Sequence, residues 1–335
     1  MTFAAAALGL VGIFVWFGLG LLAVQALVVA GIIVVFHLAV RAIGYGASRK
    51  IQVQQWLKKF CSVLLCVLTL LISVSGLIYA VQDDMFFYNV KDEESREILL
   101  GEPGYSEVAF TAENGKTYHG MLYRGMDETA PLLIYFGGNG EVSYRNMRNR
   151  LEQNQWQYFS GYSYLYVDYE GYGLNDGSAN YMNMYEEALA IFDYAVTLPA
   201  VDTERIVVMG YSLGTGCAVY LAAHRPVAGL ILAAPYANGF DMYNNMLPIF
   251  HSPLKLLIKQ KFPSDEYAPD VTCPVLVFAS HADEAIPFAS SERLSAIFSG
   301  DTELVELDSV LHDHIFSADG VFEKVQSFLE EIKAE

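Results

Sequence analysis

The first 82 residues contain no aspartate or glutamate, and their five charged side chains, Arg41, Arg49, Lys50, Lys58 and Lys59, are all basic and fall within one short segment. From Phe3 to Val40 the run is apolar except for Gln25 and His37. As a single helix it would be about 57 Å long at ~1.5 Å per residue, against a bilayer hydrocarbon core of roughly 30 Å. Two helices meeting near Gln25, about 3–22 and 24–42, fit that thickness better than one. A third apolar run, 60–81, is long enough to cross once. The plain alternative for the first stretch is a cleaved signal peptide, but its apolar core would be several-fold too long. Residues 1–82 are therefore expected to form a transmembrane region of three helices, with the lipid bilayer as a partner.

Orientation follows from the basic residues. All five lie in the connection 41–59, and Asp83 and Asp84 come directly after the third run. The Lys/Arg bias places the 41–59 loop in the cytoplasm and the chain beyond it on the extracytoplasmic side, periplasmic, lumenal or extracellular. Cysteine does not bear on the compartment: Cys61, Cys66, Cys217 and Cys273 show no metal-binding or disulfide spacing.

The remainder, 83–335, carries 15 basic and 38 acidic residues, a formal charge of −23. That excludes a nucleic-acid binder that tracks phosphates with a basic footprint. With 13% aromatic residues in the chain it also excludes disorder. Short alternating runs, Glu107–Ala112 and Lys116–Tyr123, flank Glu113-Asn114-Gly115 and predict a hairpin. Nearly continuous apolar runs follow at Leu132–Phe136, Tyr164–Val167, Ile206–Met209, Gly229–Ala233 and Val275–Phe278, as in strands buried on both faces of a parallel sheet. Amphipathic stretches at 142–155, Met182–Thr197, Leu213–His224 and Val321–Ile332 lie between and after them. The alternation predicts an α/β fold with a doubly wound, mostly parallel sheet.

The sharpest motif is Gly210-Tyr211-Ser212-Leu213-Gly214, directly after one predicted strand and opening a predicted helix. A chain reversing that tightly needs small residues two before and two after the serine, and it presents the Ser212 hydroxyl at the carboxyl edge of the sheet. By composition alone the pattern arises in roughly one chain in ten of this length; the strand before and helix after set this instance apart. A serine hydroxyl needs a general base within hydrogen-bond reach, and chain order in such a fold is serine, acid, histidine. Asp283, on the loop beyond Val275–Phe278, is the preferred acid, with Glu284 as the fallback. His312 is the preferred base and His314 its competitor. His37 falls in the membrane region; His119, His224 and His251 precede the acid, and His281 merely starts its loop. The oxyanion of an acyl-transfer intermediate needs backbone donors: the amide of Leu213 and, from the loop Gly137-Gly138-Asn139-Gly140, the amide of Asn139. That glycine-rich loop lacks the spacing of a dinucleotide site. No metal or organic cofactor is expected.

Taken together, these residues resemble the α/β-hydrolase superfamily, and most of all its membrane-anchored, abhydrolase-domain serine esterases with a small cap. The resemblance covers roughly 85–333 and rests on Tyr135-Phe136-Gly137-Gly138-Asn139-Gly140, Asp168-Tyr169-Glu170-Gly171-Tyr172-Gly173, the serine motif, Asp283 with Pro287, and His312 with Asp313. There are two departures: the family commonly has His where this chain has Gly137, and Arg where it has Glu170. The resemblance implies an α/β-hydrolase domain over 83–335 and hydrolysis of carboxylic esters or thioesters, of small molecules or lipids, through a Ser-His-Asp triad and an acyl-enzyme. The superfamily also includes peptidases, so the substrate stays open. So does a reading of another class, a hydrolase-like scaffold that binds without catalysis. The stretch 238–267 stands where a small cap inserts; Met242, Met246, Leu247, Ile249, Phe250, Leu254, Leu256, Leu257 and Ile258 could form an apolar wall for an acyl chain, or a helix packed on the body.

Overall fold

In a computed structural model of the chain, residues 51–88, 90–125, 129–159, 161–246, 255 and 258–334 are described. The chain divides into two compact units, Met1–Gln82 and Asp83–Glu335. The expected helices at 3–22 and 24–42, and most of the 41–59 connection, lie outside the described residues. Helix α1, Ile51–Phe86, contains the third apolar run. Its stretch Lys58–Leu77 is long and apolar enough to cross a membrane, with a mean hydropathy of 2.5, and only 12% of it is buried.

Among the described residues, the second unit is built on an eight-stranded sheet. Strands β1 (Tyr105–Thr111) and β2 (Thr117–Tyr123) form the hairpin expected around Asn114-Gly115, in antiparallel register with Thr111 opposite Thr117. The turn works because Gly115 takes a left-handed φ of 79° with open space where a Cβ would sit. β2 pairs antiparallel with β4 (Ser163–Val167). From there the sheet is parallel through β3 (Ala130–Phe136), β5 (Val201–Tyr211), β6 (Gly229–Ala233), β7 (Val275–Ser280) and β8 (Thr302–Leu307).

Every residue of β3, β4, β6 and β7 is buried. Successive strand residues point to opposite faces, so both faces of the sheet centre are covered, which is why these strands read as unbroken apolar runs. The edge strand β8 differs: Glu303 and Glu306 are exposed, and charges on an edge oppose pairing with another chain. The covering helices include α2 (Glu93–Leu100), α3 (Ser143–Glu152), α4 (Tyr181–Ala195), α5 (Gly214–His224), α6 (Gly239–Met246), α7 (Ser264–Tyr267), α8 (Phe288–Ser295) and α9 (Val321–Ala334). In a parallel run the loops leaving the carboxyl ends emerge at one edge. Here those are the segments after Phe136, Val167, Tyr211, Ala233, Ser280 and Leu307.

Candidate active site

β5 ends at Tyr211 and α5 opens at Gly214, so Ser212 and Leu213 make the whole turn. Ser212 has a φ of 49°, a left-handed conformation uncommon for a residue with a Cβ and costing on the order of 1–3 kcal/mol. The surroundings hold it there. Its amide donates to the Ala233 carbonyl on the neighbouring strand (2.9 Å), and its own carbonyl accepts from the amide and hydroxyl of Thr215 (3.0 and 2.6 Å).

The hydroxyl so presented meets His312. Ser212 Oγ is 2.8 Å from His312 Nε2, and His312 Nδ1 is 2.8 Å from Asp283 Oδ2. The other carboxylate oxygen of Asp283 accepts the amides of Ala285 (2.8 Å) and Ile286 (2.7 Å). A carboxylate only accepts, so the proton of the ring sits on Nδ1 and Nε2 is left to accept from the serine hydroxyl. Both residues are shielded, with side-chain exposures of 11% for His312 and 2% for Asp283.

The alternatives fall elsewhere. Glu284 accepts the backbone amide of His312 (3.1 Å) rather than its ring, and His314 is exposed. A residue that sequence reasoning did not single out also holds the histidine. The Tyr211 hydroxyl donates to the His312 carbonyl (3.0 Å) and its ring lies 5.4 Å from the imidazole. Burial, reinforced by Glu141, Asp313, Asp283 and Glu284, pushes that hydroxyl well above its ordinary range, so it remains a donor.

The loop after β3 is braced on three sides. Glu141 accepts the Gly138 amide (2.7 Å) and the Tyr135 hydroxyl (2.9 Å), while the Tyr169 hydroxyl donates to the Gly137 carbonyl (2.9 Å). The Asn139 side chain accepts from the Tyr172 hydroxyl (2.7 Å) and the Tyr88 amide (2.9 Å) and donates to the Phe86 carbonyl. Among the described residues, the amides of Asn139 and Leu213 donate to no other group of the protein, and both residues line the same cleft as Ser212 and His312. This cleft has a volume of about 250 Å³, and Phe86, Tyr88, Met242 and Ile286 wall it. Of the expected cap, Met242 reaches the cleft and Ile258 is buried; residues 247–254, 256 and 257 lie outside the described residues.

Both departures from the family pattern have a local cause. A Cβ on Gly137 would lie 1.9 Å from the Tyr166 hydroxyl, which is buried and, among the described residues, without a hydrogen-bond partner; the tyrosine fills the space a larger side chain would need. Glu170 is buried, and its carboxylate takes Lys116 Nζ (2.6 Å), the Tyr118 hydroxyl (3.2 Å) and Asn183 Nδ2 (3.2 Å). The Lys116 ammonium supplies the charge that makes this acid tolerable there.

Two more carboxyls are fully enclosed behind the site. Burial holds Glu187 well above the usual carboxyl range, with the neighbouring acids Glu170 and Asp168 adding to the effect. Asp168, just after β4, accepts from the amide (2.6 Å) and hydroxyl of Ser143 (3.0 Å) at the start of α3, yet burial outweighs these bonds and lifts its carboxyl to about 7. A folded-state value raised above 3.8 contributes stability that is complete below about pH 4 and is lost as pH rises through 7. A shift of this size is worth on the order of 4 kcal/mol. Asp168→Asn keeps one acceptor and removes the titration. Its stability relative to the parent is expected to rise by a large fraction of that amount between pH 4 and 8. Urea midpoints for both proteins at the two pH values measure this; a constant difference would contradict it.

Comparison with known proteins bears on the fold and the family. The model of the dienelactone hydrolase family matches residues 176–321. An uncharacterized protein of Mycobacterium tuberculosis is 33% identical over 195 residues, covering 58% of this chain and 68% of that protein. The lysophosphatidylserine lipase ABHD12 of Danio rerio is 26% identical over 187 residues, 51% of this chain and 48% of the lipase, so the match spans about half of that relative's length. Among solved structures, an esterase of Pyrococcus furiosus superposes with a TM-score of 0.56 at 15% identity, over 73% of this chain and 95% of its own. An acetyl xylan esterase from a Paenibacillus species gives 0.54 at 16% identity, over 76% and 98%. Sequence match and strand order point the same way, and the chain belongs to the α/β-hydrolase superfamily.

Proposed function

We propose that the protein is a membrane-tethered serine hydrolase of carboxylic esters or thioesters. The observation that carries this reading is the unbroken hydrogen-bonded series from Ser212 Oγ through the His312 ring to Asp283, at 2.8 Å in both links. Ser212 attacks the acyl carbonyl as His312 Nε2 takes its proton, and Asp283 keeps the ring in the tautomer that can do so. The amides of Leu213 and Asn139 receive the developing oxyanion. The protonated ring then delivers its proton to the leaving alcohol or thiol, and an acyl-enzyme remains on Ser212. In the second half His312 activates water, which releases the acid and restores the hydroxyl.

Tethering rests on the Lys58–Leu77 stretch, which is too exposed for the core of a globular domain. With the basic connection 41–59 in the cytoplasm, the domain 83–335 lies on the extracytoplasmic side. The lipase among the relatives supports ester cleavage, with the acyl group left to the shape of the cleft. One experiment tests chemistry and orientation together. A fluorophosphonate that cannot cross membranes, added to intact cells, is expected to modify Ser212 and to stop the hydrolysis of short p-nitrophenyl esters. Modification only after the cells are broken would overturn the orientation. No modification of the purified full-length protein would overturn the hydrolase.

A further inference from the structure

The cleft owes one of its walls to a segment remote from the catalytic loops in sequence. Asp83–Tyr88 runs from the last turn of α1 into the domain, and Phe86 and Tyr88 both line the cleft. This short segment is fastened at each end and in the middle. At its start the Asp83 carboxylate receives Lys259 Nζ (2.8 Å) and Gln260 Nε2 (2.7 Å). At its end the Asn139 side chain grips the Tyr88 amide and the Phe86 carbonyl. Between them the Phe86 ring is stacked 5.3 Å from Tyr243 at 17° and 6.3 Å from Phe262 at 24°, and Phe262 is fully buried. Paired, near-parallel rings on a segment fixed at both ends make a wall, not a gate. The cleft behind this wall, about 250 Å³, falls below the ~300–1,000 Å³ of pockets that take drug-sized ligands.

We infer that Phe86 is the specificity-determining residue of the cleft: its ring limits the length of the acyl group, so the substrates are esters or thioesters with short acyl chains. This rests on the hydrolase reading above. Asn139 connects the two functions, because the residue that clasps the wall with its side chain also offers its amide to the oxyanion. Acyl length and oxyanion binding are therefore set by one bracket.

The test uses the full-length protein in detergent with p-nitrophenyl butyrate and octanoate. The ratio of the two kcat/KM values is taken on each preparation, so any misfolded fraction cancels. The parent protein is expected to favour butyrate. Phe86→Ala is expected to raise the octanoate-to-butyrate ratio by at least about tenfold, within the range that a few methylenes in a pocket command. Phe86→Leu, a gentler replacement, should fall between. A ratio that stays within about twofold in both variants, well short of that range, overturns the wall, as does a parent protein that favours octanoate. If the parent reacts with neither ester nor fluorophosphonate, the hydrolase reading fails and takes this inference with it.

Discussion

Replacing Ser212 by alanine is expected to lower ester turnover by roughly 10⁶-fold, and Asp283→Asn by roughly 10⁴-fold, with the domain folded in both cases. The second expectation follows from a hydrogen-bond constraint. The amides of Ala285 and Ile286 both donate to Asp283 Oδ1 at 2.8 and 2.7 Å, so that position demands an oxygen. In Asp283→Asn the amide nitrogen must then take the place of Oδ2, facing His312 Nδ1 across the 2.8 Å link. An amide nitrogen donates and cannot accept. The ring has to present a bare Nδ1 and carry its proton on Nε2, pointing at Ser212. A histidine in that tautomer cannot take the serine proton. Combining Asp283→Asn with Ser212→Ala should cost little more than Ser212→Ala alone, because the members act as one unit. Glu284 is no substitute, since its carboxylate is engaged with the His312 amide. Turnover of a p-nitrophenyl ester by the purified variants, with far-ultraviolet circular dichroism as the check on folding, decides it. A fall of only a few-fold in Asp283→Asn would remove Asp283 from the mechanism.

What sequence reasoning reached, and what it missed, has a physical basis. β3, β6 and β7 were legible because burial on both faces leaves no polar residue to break the run. Helix α8, Phe288–Ser295, was missed because its buried side chains are three serines and a single leucine, Leu294. Ser290, Ser291 and Ser295 are buried there and satisfied by hydrogen bonds: Ser290 Oγ accepts the Ala237 amide at 2.9 Å, and Ser291 and Ser295 donate to carbonyls. A search for apolar periodicity cannot see such a helix. Likewise α2, Glu93–Leu100, buries little beyond Ser95 and Leu99, and only its cap, Asp92 accepting the Ser95 amide, marks its start.

At the site the division is similar. Position in a chain order pointed to Ser212, Asp283 and His312, because each occupies the first loop after a strand's carboxyl end. Competition between adjacent residues was another matter. Nothing in Asp283-Glu284 or in His312-Asp313-His314 tells which side chain turns inward; the ring contact of Asp283 and the exposure of His314 emerge only in three dimensions. Phe86 and Tyr88 carried no signal at all, since a wall contributed from 53 and 51 residues before the asparagine that holds it has no local pattern.

Gly214→Ala is expected to be among the most damaging single-methyl additions in the domain, and its cost separates the packing role of the motif from its conformational one. A Cβ at position 214 would lie 2.1 Å from the Phe136 carbonyl oxygen, 2.5 Å from its carbon and 2.6 Å from the Gly137 oxygen. These are main-chain atoms at the end of β3 and the start of the loop proposed to hold the oxyanion. No change of rotamer can clear them, so the loop itself must shift. Overpacking of this kind costs about 1–3 kcal/mol or more. Activity should suffer further, because a displacement of about 1 Å at a catalytic group can cost 10²-fold, and the Asn139 amide rides on the displaced loop. Gly115→Ala makes the contrast. Its φ of 79° is left-handed, where Gly214 is helical, but nothing lies within 4 Å of the added carbon, so only a backbone cost of roughly 1–2 kcal/mol is due, with turnover unchanged. Urea unfolding and ester turnover of the two variants, measured side by side, should therefore diverge: both lose stability, and only Gly214→Ala loses kcat by about 10²-fold or more. Equal turnover in the two would mean that the space Gly214 leaves for the loop after β3 is not needed for turnover. The close approach of α5 to the oxyanion loop would then carry no catalytic weight.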